Sequence, residues 1–433
     1  MFKAVAGYYK DNERLRLLVK IIAVWLISRA VMLLMVPVMN LIADEPHQWL
    51  YYMNPWDAEW YKGIVENGYQ PPKSSGMASW AFFPLYPLVC MAVRLVTMGC
   101  IDTYAVGMTV SNICIIIAVY YAVKYADIEL DMKKYNKKTV EDIIIFLMLA
   151  GPFAVYYGAM YTEALFILCV ILCFYNSARH NYMAAGIAAA MASATRIVGC
   201  MLVFVLITYM FMEACAECRA KHNSKVKDNK EAGIIDKYML TDEAGIMLAG
   251  NISLASVIKT FIKNVIKEPK KLVAIMISPL GIFIYMNYLR YLCGDSWAFY
   301  HVQRAWRTQK MFPVIGVLFK SCTGQLTAAS GVKTLNGIIL GWLCVITLML
   351  YAAMIRKKHY ALGIFGIIVL LIPLTSSVMS TLRFIMGSFV IYIGVAEIIA
   401  GCNRYVRYGI IALMSIVEVV VISAWYFWDG LLM

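Results

Sequence analysis

Eleven apolar runs, divided by polar breaks, leave this 433-residue chain few folds to choose from. They are Ile21–Ile42, Tyr104–Val123, Ile143–Tyr157, Ala164–Asn176, Ala184–Ala194, Gly199–Met212, Leu272–Tyr291, Leu335–Met354, Ala361–Ser376, Phe384–Ala400 and Gly409–Phe427. A run of roughly 17–25 apolar residues crosses a bilayer as a helix. The shorter runs suit spans that stop at a cavity or that extend past these bounds. Only 15% of residues are charged and 62% are hydrophobic, against about 25% charged in soluble domains. A water-soluble fold of this size would lack the polar surface to cover itself. The same figures exclude disorder, coiled coil, collagen and a small disulfide scaffold. The expected class is an all-α polytopic membrane protein, one domain over residues 1–433.

Phe82–Met98 decides the sidedness. If it spans, the basic segment 124–138 falls outside and every later loop inverts. Pro84, Pro87 and Arg94 favour a helix lying along the surface instead. That reading gives 11 spans and puts 27 of the 39 Lys and Arg on the cytoplasmic side, a bias that sets orientation. The N-terminus carries Lys3, Lys10, Arg14, Arg16 and Lys20 ahead of a run too long for a signal-peptide core, and is expected to be cytoplasmic. Residues 43–101 become a long external first loop with interfacial helices. Residues 214–269 become a cytoplasmic basic insertion, solvated or interfacial. The net charge of +13 then belongs to loops, and no nucleic-acid motif accompanies it. Most of the 12 cysteines sit singly in apolar runs and suit packing. The one C-x-x-C, Cys215 and Cys218 near His222, lacks a fourth zinc ligand. No internal repeat points to an inverted-repeat transporter.

With this sidedness the unusual polar residues gather at the external surface. Asp57 and Tyr61 lie one helical turn apart, and Trp56 and Trp60 occupy the adjacent face. Asp57 also has a structural reading, as a helix N-cap after Pro55. Glu163 begins an apolar helix, where a carboxylate relieves unpaired N–H groups. Arg196 lies between two apolar runs with no adjacent acid. An Arg at membrane depth is costly and marks a functional site unless it snorkels to the interface. Arg383 is comparable. Gln303 and Arg307 share a helical face beside Trp306, which also suits an amphipathic interfacial helix. His301 reads as structural.

These residues fall in motifs that resemble the PIG-V-type mannosyltransferases, which add the second mannose of the GPI anchor, and their prokaryotic relatives in the GT-C superfamily. The motifs are W-D-x-x-W-Y-x-x-I-x-x-x-G-Y (Trp56–Tyr69), A-F-F-P-L-Y-P (Ala81–Pro87), Y-T-E-A-L-F (Tyr161–Phe166), A-S-A-T-R-x-x-G (Ala192–Gly199), G-D-x-x-A-F-x-x-x-Q-x-x-W (Gly294–Trp306) and S-x-x-R-F (Ser380–Phe384). The insertion 214–269 is longer than a compact prokaryotic member would carry. The resemblance implies a GT-C fold whose external first loop bears the acidic catalytic residue. It also implies inverting transfer from polyprenyl-phosphate mannose.

On that reading Asp57 is the expected base, with Glu163 orienting the acceptor or positioning Asp57. Arg196, Arg383 and Arg307 would meet the donor phosphate. Trp56, Tyr61, Tyr69, Phe83, Tyr161, Gln303 and Trp306 would bind substrate. The expected partners are membrane lipids, a polyprenyl-phosphate sugar and a glycan or glycolipid acceptor, with no nucleic acid. The external segments lack an Asp-x-Asp pair of the kind that holds a nucleotide-sugar metal. No cofactor is expected, and a divalent metal is left open. The expected location is a prokaryotic plasma membrane, with the endoplasmic reticulum as alternative. A GT-C enzyme moving another sugar and a lipid-sugar flippase are the competing functions.

Overall fold

The computed structural model describes residues 12–228, 253–305, 313–325, 334–375, 378 and 380–428. Among them every regular element is helical. The chain runs α1 Glu13–Asn40, α2 Trp49–Met53, α3 Asp57–Asn67, α4 Leu85–Val96, α5 Thr103–Glu129, α6 Lys137–Leu149, α7 Glu163–Ala178, α8 Tyr182–Ser193 and α9 Leu202–Asp228. It continues with α10 Leu254–Lys267, α11 Pro269–Ile277, α12 Leu280–Cys293, α13 Ala298–His301, α14 Val314–Cys322 and α15 Thr334–Arg356. It ends with α16 Tyr360–Leu374, α17 Thr381–Gly387, α18 Val390–Gly401 and α19 Arg404–Tyr426. Short 3-10 turns lie at Ser79–Ala81, Ala154–Tyr157, Ile197–Met201 and Val302–Ala305.

Polar side chains start several of these helices by accepting from orphan N–H groups. Asn12 accepts from Leu15 N at 3.0 Å, Asp102 from Tyr104 N at 2.8 Å, and Asn403 from Val406 N at 3.0 Å.

Among the described residues, five helices are long and apolar enough to cross a membrane: Glu13–Asn40, Thr103–Glu129, Ile197–Asn223, Thr334–Arg356 and Arg404–Tyr426. Two bent pairs, α11 with α12 (42°) and α17 with α18 (70°), bring the number to seven if each is one span. Identifiable residues mark the breaks. Pro279 separates the first pair, and Phe389, at φ 52°, separates the second. Four further apolar helices are shorter: α4, α7, α8 and α16. Hydropathy alone treats all these runs alike, but α7 is buried along most of its length, so its apolar residues pack against protein. The run Ile143–Tyr157 is interrupted, because α6 stops at Leu149 and a 3-10 turn follows.

Small residues let the central helices approach closely. A Cβ on Gly186 would collide with Ala274 of α11. One on Gly281 would meet Ala190 of α8. The outer helices α1 and α19 instead expose apolar rows, including Leu26, Leu34, Leu413 and Val420.

Candidate functional site

Four ionised side chains meet where the first loop, the start of α7, the end of α8 and α17 converge. Asp57 and Glu163 are each the first residue of a helix, where the unpaired N–H groups favour a carboxylate. Arg196 follows α8 in extended backbone, and Arg383 is in the first turn of α17. Arg383 Nη1 donates to Asp57 Oδ2 at 2.5 Å, and its Nε donates to Glu163 Oε1. Arg196 Nη2 donates to the same Glu163 oxygen at 2.6 Å. The result is a chain of alternating charge, Asp57–Arg383–Glu163–Arg196.

Burial differs along that chain. The Glu163 side chain is 1% exposed, Arg383 10%, Arg196 13% and Asp57 27%. Glu163 is therefore sealed between two guanidinium groups, and Asp57 faces out. Arg196 Nη1 is buried without a hydrogen-bond partner. Such a donor is costly inside a protein unless something arrives to accept from it. The Arg196 guanidinium lies between Phe166 (5.8 Å) and Phe384 (5.7 Å), and that of Arg383 lies over Tyr161 (4.9 Å).

The local backbone is built to hold this geometry. Trp56, immediately before Asp57, has φ 48°, and Ser380, three residues before Arg383, has φ 62°. Neither is glycine, and each such residue costs about 1–3 kcal/mol. Gly199 of the T-R-x-x-G motif is required for space: a Cβ there would strike the Ala192 carbonyl, so only glycine lets the turn after Arg196 close against α8. Residues 54–55 are knitted to the strap before Glu163. Met160 N donates to Asn54 Oδ1 at 2.7 Å, and Tyr161 OH donates to the Pro55 carbonyl at 2.6 Å.

The expectations for individual residues divide. Trp56, Asp57, Tyr61, Tyr161, Glu163, Arg196 and Arg383 are brought together. Arg196 and Arg383 are not unpaired, as their isolation in sequence suggested; both reach Glu163 across 33 and 220 residues. Asp57 does not act as an N-cap: Trp56 stands at that position, outside the helix, and the Asp57 carboxylate is turned to Arg383. Trp56 and Trp60 therefore do not share one helical face. Tyr61 OH donates to Thr162 Oγ1 at 3.4 Å, and burial pushes its hydroxyl well above the ordinary range, so it stays protonated.

Tyr69 and Phe83 stand apart, in an aromatic cluster with Tyr285 and Phe299. Gln303 lies on a turn beside Ser79–Ala81. His301 Nδ1 is 2.7 Å from Asp295 Oδ2, in an exposed pair. Trp306 and Arg307 lie outside the described residues. Cys218 Sγ is 3.2 Å from Thr260 Oγ1, and among the described residues no three His, Cys, Asp or Glu side chains are grouped to hold a metal.

Three residues escaped the sequence reading. Thr162 Oγ1 accepts from Arg196 Nε at 3.1 Å. Trp425 of α19 is fully buried and packs against Trp56, Tyr156 and Tyr161, with ring centroids 5.3, 4.9 and 5.7 Å apart. Glu418, also on α19, accepts from Phe153 N at 2.8 Å. Arg29 Nη1, from α1, donates to the neighbouring Ala154 carbonyl at 3.4 Å. The first and last helices thus pin the strap that leads to Glu163. A charge inside an apolar run is a signal in the sequence, and Glu418, within Gly409–Phe427, carried it.

Comparison with known proteins follows this geometry. The sequence model of a family described as Mannosyltransferase (PIG-V) matches residues 13–231, half of the chain. The archaeal oligosaccharyltransferase AglB from Archaeoglobus fulgidus, in complex with an inhibitory peptide and a dolichol-phosphate, is similar at 12% identity and a TM-score of 0.45, over 98% of this chain and 56% of that one. The A. fulgidus oligosaccharyltransferase tethered with an acceptor peptide gives 12% identity and a TM-score of 0.47, over 97% and 56%. The chain spans a little over half the length of those structures. No curated protein sequence matches it.

Proposed function

The chain belongs to the mannosyltransferase (PIG-V) family, and from that premise we propose that it is a membrane glycosyltransferase of GT-C type, moving mannose from polyprenyl-phosphate mannose to a lipid-linked or glycan acceptor. The reaction would invert the anomeric centre at the external or lumenal membrane face. The proposal includes 11 spans, a cytoplasmic N-terminus, an external loop over residues 43–101 and a cytoplasmic insertion over 214–269. One observation carries the assignment of the site. A partly exposed carboxylate, Asp57, stands at one end of the ion chain, and a buried unpaired guanidinium N–H, on Arg196, stands at the other.

The chemistry runs between those ends. Asp57 takes the acceptor hydroxyl proton as the oxygen attacks the anomeric carbon. Arg383 occupies Asp57 Oδ2, which fixes the carboxylate and leaves its other oxygen to take the proton. The bond from the anomeric carbon to the phosphate oxygen breaks, and its electron pair leaves on polyprenyl phosphate. The phosphate gains a negative charge, which Arg196 meets through its free N–H and Arg383 through its permanent charge. Glu163 is too enclosed to touch substrate, so its part is to hold both Arg residues. Trp56 and Tyr61 wall the sugar side.

The test is transfer by purified protein in detergent, with radiolabelled polyprenyl-phosphate mannose and a mixed extract of acceptors. Wild type is expected to transfer label and Asp57→Asn is not. Transfer by both would remove Asp57 as the base. Transfer only from a different lipid-phosphate sugar would reassign the donor.

A further inference from the structure

We infer that α10 is an in-plane helix seated on an anionic lipid surface, at the membrane boundary remote from the ion chain. Its position comes first. Lys267 ends α10, and after Glu268 the bent pair α11–α12 begins, one of the candidate spans. One face of α10 packs on α9. Val257 is fully buried against Ala214 and Cys218, Phe261 meets Phe211 at 6.1 Å, and Asn264 Nδ2 donates to Glu217 at 2.7 Å. Arg196 stands just before α9, and Cys218 lies 16 residues along it from Leu202. At 1.5 Å per residue that is about 24 Å, close to a hydrocarbon thickness. A helix at the junction of two span ends lies at the boundary.

The surface chemistry then names the occupant. Leu254, Ile258, Ile262 and Ile266 are four residues apart, form one stripe, and are 43% to 69% exposed. The stripe continues into exposed Leu272, Val273 and Met276 of α11, so it belongs to the same apolar belt as a candidate span. Lys259, Lys263 and Lys267 form a second exposed stripe beside it. The nearby acids are engaged elsewhere. Glu213 and Glu268 hold the buried Lys271 at 3.0 and 2.8 Å, and Glu217 holds Lys221 at 2.5 Å. Among the described residues none of the three lysines has an acidic partner within 4.0 Å. An apolar row flanked by lysines without a close acidic partner fits acyl chains below and anionic headgroups beside them.

The full chain in nanodiscs tests this, with a fluorescent unnatural amino acid at Ile262 or at Lys263. Doxyl-labelled lipid is expected to quench position 262, with iodide quenching 263 and sparing 262. Doxyl-phosphatidylglycerol is expected to quench 262 roughly twofold more than doxyl-phosphatidylcholine. The triple variant Lys259→Gln, Lys263→Gln, Lys267→Gln is expected to lose that preference while remaining folded. Iodide access to 262, or shielding from both quenchers by a covering protein, would overturn the inference. Equal quenching by the two lipids in wild type would overturn its anionic part.

Discussion

Two ionic clusters, each built around a buried glutamate (Glu163 in one, Glu397 in the other), stand at opposite ends of the bundle. They use similar parts to different effect. One is the chain Asp57–Arg383–Glu163–Arg196. The other joins Glu129 at the end of α5, Glu397 of α18, and His359 and Lys357 before α16. In the second cluster every carboxylate oxygen has a partner. Glu129 takes His359 Nδ1 at 2.8 Å, Tyr125 OH at 3.0 Å and Tyr209 OH at 3.3 Å. Glu397 takes Tyr135 OH at 3.0 Å and Lys357 Nζ at 3.0 Å. The first cluster leaves Asp57 partly open and Arg196 Nη1 without a partner. A completed network fastens helices together. An incomplete one, held in place by a strained backbone, keeps a donor and a carboxylate available for the proposed substrate.

Substitutions break or sharpen that contrast. The largest effect is expected from Asp57→Asn, which keeps the shape and removes the proposed proton acceptor. Transfer should fall by about 10²–10⁴ with little change in detergent melting. Retained turnover would move the base elsewhere. Next is Arg196→Lys. A point charge on a flexible stem does not reproduce the simultaneous bonds to Glu163 and Thr162, nor the free N–H, so kcat should drop about 10²–10³. A change confined to acceptor KM would argue against a phosphate role.

Glu163→Leu leaves two buried guanidinium groups facing each other. It should cost about 3–5 kcal/mol in stability and lower activity with it, seen as a fall in both melting temperature and transfer. In the completed cluster, Glu397→Gln should cost only about 1–3 kcal/mol and leave kcat/KM of the surviving folded protein at the wild-type value. If Glu397→Gln changed kcat/KM at saturating stability, the division between fastening and functional clusters would fail.

The sequence made one part of this legible and hid another. Glu163, Arg196 and Arg383 stood out because each borders an apolar run, where a charge needs a reason, and Asp57 because it lies one helical turn from Tyr61 in the W-D-x-x-W-Y motif of the first loop. Their pairing was hidden, since Glu163 and Arg383 are 220 residues apart. Trp425 was hidden for another reason. A Trp near the end of an apolar helix reads as an interfacial anchor, and only the fold brings it against Trp56. The helical class followed from hydropathy, but hydropathy does not separate an apolar helix packed against protein from one facing lipid. For that reason α7 and α8 read as ordinary spans, although both are short and largely enclosed. Positive φ at Trp56 and Ser380 had no signal in residue type, since glycine is the usual occupant of that region.

The most direct test of the central claim is the affinity of purified protein for polyprenyl phosphate, wild type against Arg196→Gln. The incomplete cluster predicts binding about 10- to 100-fold weaker in the variant, because the charge-assisted donor proposed to meet the phosphate is lost, with melting of the unliganded protein showing that the fold persists. Equal affinity in the two folded proteins would contradict it, and the unpaired guanidinium would then have no phosphate to meet.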